Sequence, residues 1–219
     1  DKRLIQLSEI DQPKKVIPAV IEFVDIAGLV AGASEGEGLG NKFLANIRET
    51  DAIAHVIRCF ENDDITHVSG KIDPLSDIQT INTELLLSDL AIVEKSLTRL
   101  KKLSKTGNKD ILSELKVMES IEQELNEGNF LHDIYQNNKE ILKQYNFLTA
   151  KPFFLILNVA DDEISGNQYT RDVINYCNEK NISNIIISAN IEYDLSMMSD
   201  EEKKEYFELY NLEESGIDR

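Results

Sequence analysis

An apolar, β-branched run from Ala19 to Asp25 passes directly into Asp25-Ile26-Ala27-Gly28 and then into a stretch carrying Gly32, Gly36, Gly38 and Gly40. A strand that ends on a carboxylate and feeds a glycine-rich loop constrains the fold strongly, because ligands of α/β proteins sit beyond the carboxyl ends of parallel strands. Its chemistry suits a triphosphate. Asp25 at the strand end can hold a water of a Mg²⁺ ion, and Gly28, lacking a Cβ, lets its backbone N–H approach a phosphate oxygen. The later glycines leave the loop free to order on the triphosphate and to relax after hydrolysis. Asp-x-x-Gly alone also occurs in ordinary turns; the whole run 23–44 is what sets it apart.

Four short apolar runs read as strands: 19–25, 52–60, 153–158 and 182–188. Helical patterns separate them, which predicts an α/β fold with a mostly parallel sheet and helices on both faces. Asp25, Asn158 and Ser188 all fall at carboxyl ends. Between the second and third runs, Leu86, Leu90, Val93, Leu97 and Leu100 recur at the 4,3 spacing of a coiled-coil seam. After the turn Ser104-Lys105-Thr106-Gly107-Asn108, where Gly and Asn accept positive φ, come Ile111, Leu115, Met118, Ile121 and Leu125. The pattern predicts an antiparallel helical hairpin whose first helix runs from Ser76 to Leu103. The implied organisation is 1–75 as a first part of a nucleotide domain, 76–147 as a helical coiled-coil insertion and 148–219 as the second part of the nucleotide domain.

The formal net charge of −17 opposes a general coating of nucleic acid. Its distribution matters more. Residues 190–219 hold ten Asp and Glu against three Lys and Arg, whereas 95–109 hold six basic residues and no acid. Lys101, Lys102 and Lys105 therefore form a basic spot at the hairpin turn, either a solvated helix end or a surface for RNA. No apolar run approaches the ~20 residues of a membrane span, and a cytoplasmic location is expected. Cys59 and Cys177 lack metal-ligand spacing and read as two buried thiols. The three histidines, His55, His67 and His132, are scattered. His55 reads as a core residue, and His132 has no motif around it.

Residues 22–50 resemble the switch region of the Obg-related GTPases, specifically the YchF / Obg-like ATPase family. The likeness continues through Asp51–Asp63, His67-Val68-Ser69-Gly70, Ile81–Leu85 and Leu212–Gly216, and so covers essentially the whole chain. It implies a P-loop NTPase of Ras-like architecture with an inserted helical arm, acting on the ribosome and its RNA, with ATP or GTP as substrate and Mg²⁺ as cofactor. No Gly-x-x-x-x-Gly-Lys-Ser/Thr occurs in the chain. The resemblance places that phosphate cradle before Asp1 and a small TGS domain after Arg219, so the chain reads as an internal fragment whose sheet is incomplete and which alone is inactive.

The resemblance also assigns roles. Asn158-Val159-Ala160-Asp161 stands where GTPases carry Asn-Lys-x-Asp, in which Asp pairs with guanine, Asn braces the loop and the lysine stem packs on the base. Val159 replaces that lysine. The family also lacks it and usually ends the motif in Glu, which accompanies its tolerance of ATP; Asp161 restores the shorter carboxylate. Ser188-Ala189-Asn190 resembles the loop whose backbone N–H groups touch the base. Leu29 stands where Ras-like proteins place a water-positioning glutamine, and a leucine cannot bond water. The family's proposed replacement matches His67, whose imidazole can orient or deprotonate water near neutral pH. Two other readings stand beside the ATPase: a strict Obg-type GTPase, and a non-catalytic adaptor that binds RNA or the ribosome through its arm.

Overall fold

The structure, a computed structural model, describes residues 2–26, 39–62, 71–134, 139–210 and 214–216. Three parallel strands, β1 (Ile53–Arg58), β2 (Phe153–Asn158) and β3 (Ser183–Ile187), lie in the order β1-β2-β3. His55 is opposite Leu155 and Ile57 opposite Leu157, so these four share one face. That face is closed by Val173 and Cys177 of helix α7 (Gln168–Lys180) and by Ile78 of α3 (Pro74–Leu103). On the other face of β1, Val56 is 59% exposed. Cys59 and Cys177 are free thiols buried in this core, and burial, with the Asp77 and Glu163 charges behind it, pushes the Cys59 thiol up to about 12.

The expected strand 19–25 is a correction. Among the described residues, 19–25 pair with no strand, and Ile21 and Phe23 are each 79% exposed. A strand needs an edge to pair with. Among the described strands β1 pairs with β2 alone, and no described strand lies on its other edge. Gly40 lies inside helix α2 (Leu39–Arg48) and not in a loop.

The hairpin forms as the periodicity predicts. Its first helix, α3, starts two residues before Ser76, because Asp73 caps it by accepting from the Ser76 amide and Pro74 suits a first turn. The chain then reverses through a 3₁₀ turn (Ser104–Thr106) and Gly107 at φ 72°. Asn108 remains at negative φ and instead caps α4 (Lys109–Asn126), accepting from the Asp110 amide. Val93, Leu97 and Leu100 meet Met118, Ile121 and Leu125 in one buried cluster. Leu131 of α5 (Leu131–Ile134), Leu142 of α6 (Lys139–Tyr145) and Phe147 complete it. Helix α3 thus serves three cores in succession: Ile78 on the sheet, Leu85 against α2, and Val93 onward in the arm. The remaining helices are α1 (Lys2–Asp11), α8 (Ala189–Met197) and α9 (Asp200–Tyr210). No helix among the described residues is long and apolar enough to cross a membrane.

Candidate functional site

The carboxyl ends of β2 and β3 are stapled to each other. Asn158, the last residue of β2, accepts a hydrogen bond from the Ala189 amide on its Oδ1 at 2.9 Å. The buried Ser188 hydroxyl donates to the Asp161 carboxylate and accepts from the Ile191 amide, so one side chain caps α8 and braces the facing loop. Between them, Val159 N–H donates to Ile187 O at 2.9 Å. The structure therefore brings Asn158, Asp161, Ser188 and Ala189 together, with Asn190 exposed in the first turn of α8. Helix α9 adds Tyr206, whose ring lies 4.7 Å from that of Tyr210. Burial pushes the Tyr206 phenol up to about 12, helped by Tyr210 and by the Asp194 and Asp161 carboxylates.

Val159 does not join them. It is 3% exposed, and its side chain packs in the sheet core with Leu157, Val173 and Cys177. In this loop the alternation of the strand carries the residue after Asn158 inward, so the position where the resemblance puts a base-packing lysine is occupied by a core side chain.

Two local devices order the neighbouring loops. Arg58 ends β1 with its guanidinium 4.8 Å from the Phe60 ring centre, and it donates to Phe60 O and Asn62 O. Asn167 donates from Nδ2 to Cys59 O at 2.6 Å while forming a capping box with Thr170 at the start of α7. Gly166 precedes it at φ 94°, and a Cβ there would stand 2.9 Å from the Thr170 hydroxyl. Sequence reasoning passed over both residues, although Asn-x-x-Thr after a glycine is a legible helix start. Beside them opens a hollow of about 360 Å³ lined by Glu61, Ala160, Asp162, Glu163, Asn167, Gln168 and Tyr169. Its three carboxylates repel a triphosphate, so the hollow is no phosphate pocket.

Asp25 lies exposed at the end of the unpaired run 19–25. Gly28, Leu29 and His67 lie outside the described residues. His55 is on β1 with its ring centre 6.1 Å from that of Phe153, and burial pushes its imidazole down to about 4. At the far end of the hairpin, Lys101 and Lys102 close α3 and Lys105 sits in the turn, all three exposed.

Residues 3–95 match the family described as 50S ribosome-binding GTPase. Over the whole chain, 50% of residues are identical to the ribosome-binding ATPase YchF of Haemophilus influenzae and 42% to that of Bacillus subtilis. In each case the chain spans 61% of the relative's length. The solved structure of the Schizosaccharomyces pombe YchF GTPase matches with a TM-score of 0.81 at 33% identity, over 97% of this chain and 59% of that one. Matched along its length and in its fold by these proteins, the chain is a homologue of the YchF family and carries the P-loop GTPase fold.

Proposed function

We propose that the intact protein hydrolyses the γ-phosphate of a Mg²⁺-bound nucleoside triphosphate, ATP in preference, as a cytoplasmic conformational switch on the ribosome. The observation that carries this reading is the double staple between the two loops, Asn158 to Ala189 and Ser188 to Asp161. It fixes the two loops to which the resemblance assigns the base in one relative position, which supports recognition of a planar base between them. The relatives are named ribosome-binding ATPases, which supports the substrate and the partner.

The roles follow from the chemistry of each group. Asp161 accepts from the base, Asn158 braces the loop, and Ser188, Ala189 and Asn190 bound the base on the other side. Gly28 offers its amide to a phosphate, and His67 orients the attacking water in place of Leu29. A lone carboxylate such as Asp25 fits Mg²⁺, which keeps most of its waters and takes further ligands from phosphate. Among the described residues no group of three His, Cys, Asp or Glu forms a metal cage. When bound, the ion neutralises charge on the phosphates.

Asp161 also supports a second reading, a strict GTPase, because its carboxylate suits the N1–H and amino group of guanine and repels the N1 acceptor of adenine. Calorimetric titration of the full-length protein with non-hydrolysable ATP and GTP analogues decides between them. Binding of both within about tenfold, or roughly 1.4 kcal/mol, is expected. A preference for GTP of about a hundredfold or more would replace the ATPase reading by a GTPase. Nucleotide binding without multiple-turnover hydrolysis would leave only the adaptor.

A further inference from the structure

We propose that Arg48 is a coupling residue that ties the glycine-rich loop to the helical arm, so that movement at the nucleotide reaches the arm through α2. The proposal rests on the nucleotide-switch reading above and adds to it a physical route.

Both flanks of the loop enter one core, to which α3 also contributes. Ile26, next to Asp25, packs on the cluster formed by Leu44 and Ile47 of α2, Leu85 of α3 and Leu148. Helix α2 begins at Leu39, directly after Gly38, and ends on Arg48. The Arg48 guanidinium then reaches across to the arm's root. It donates to the Ser88 hydroxyl at 2.7 Å, to Asp89 Oδ1 at 3.2 Å and to Asn146 O at 2.8 Å. Ser88 and Asp89 belong to the first passage of the chain into the arm, and Asn146 is the residue by which it leaves. The Arg48 carbonyl accepts in turn from Asn146 Nδ2 and Lys151 Nζ, each at 3.0 Å.

Asp89 makes this joint stiff. Its side chain is fully buried, and it also accepts from the Leu148 amide, the Thr149 amide and the Thr149 hydroxyl. The carboxylate therefore binds both passages of the arm and α2 at one point. A displacement of α2 must carry this point with it or break several hydrogen bonds around a buried charge. Asp89 precedes the end of α3 at Leu103 by fourteen residues, so the lever to the basic tip is about 21 Å long at ~1.5 Å per residue. A tilt of about 10° at the root would shift the tip by roughly 4 Å over that lever.

The test uses the full-length protein with spin labels introduced at Lys105 on the tip and Glu179 on α7. Distances are measured without nucleotide and with a non-hydrolysable ATP analogue, in the otherwise native protein and in Arg48→Met, and analogue affinity is measured on the same samples. The expected result is a nucleotide-dependent shift in the native protein that Arg48→Met abolishes, with affinity for the analogue kept within about twofold. Ser88→Ala leaves the Arg48–Asp89 pair intact and is expected to fold and to reduce the shift, so it decides the matter if Arg48→Met does not fold. An arm that does not respond in the native protein, or a full shift retained in the variants, overturns the proposal. Failure of the native protein to bind the analogue would be seen separately, and would remove the functional reading along with the coupling built on it.

Discussion

Val159 shows how one residue in a binding loop can be claimed by the core instead. Its side chain is 3% exposed among Leu157, Val173 and Cys177, so a lysine there would bring an ammonium into apolar surroundings without a partner. Val159→Lys is expected to cost on the order of 3 kcal/mol of stability in the full-length protein, read from urea unfolding. An unchanged midpoint with a swing toward GTP would show that the lysine turns outward and restores the face of the base clamp. His55 gives a prediction in pH. Its folded value of about 4 lies below the ordinary 6.5, so the unfolded chain binds the extra proton between those values. Stability is full above about 6.5 and falls as pH drops toward 4, by at most about 1.4 kcal/mol per pH unit. His55→Phe should flatten the thermal midpoint between pH 7 and 5; an equal acid loss in both proteins would assign it to other groups.

At the scale of elements, the hairpin is self-specifying. Its seam is a local pattern, its turn needs one glycine, and Arg99, Glu114 and Tyr145 clasp its flank through an Arg99–Tyr145 bond of 2.9 Å and a Tyr145–Glu114 bond. The basic tip stands at a helix C-terminus, where the dipole also favours cations. Neutralising Lys101, Lys102 and Lys105 in the full-length protein is expected to weaken cosedimentation with ribosomes in a salt-dependent way and to leave basal hydrolysis unchanged. Unaltered cosedimentation at low salt would reduce the tip to a solvated face. These elements were legible because their causes are local: heptad leucines, β-branched runs, and Asn158 and Ser188 at strand ends. Three features had non-local causes. The run 19–25 has every local sign of a strand, yet pairing depends on an edge elsewhere. The inward direction of Val159 is set by strand register, which its place in the motif does not reveal. The joint at Asp89 joins residues about 41 to 60 positions apart, and a single Asp on a helix gives no sign of that.

For the whole molecule, the 219-residue chain presents an energetic problem that the described contacts do not solve. The outer edge of β1 offers backbone groups that no described strand takes up, while Val20, Ile21 and Phe23 stand 88%, 79% and 79% exposed outside any helix or strand. An open edge beside an unburied apolar run is a template for pairing with another molecule. The arm does not share the defect, since its cluster is closed by its own helices. The isolated chain is therefore expected to retain helical signal from the hairpin while its sheet region self-associates, and to bind Mg·ATP weakly or not at all. Circular dichroism, sedimentation and urea titration at several protein concentrations check this. Concentration-dependent association and a broad transition, in which helix outlasts tertiary signal, are the expected outcome. A single cooperative transition of a monomer, independent of concentration and accompanied by tight Mg·ATP binding, would mean that the run 19–25 and the β1 edge find partners within the chain, and that the sheet is self-sufficient without another strand between them.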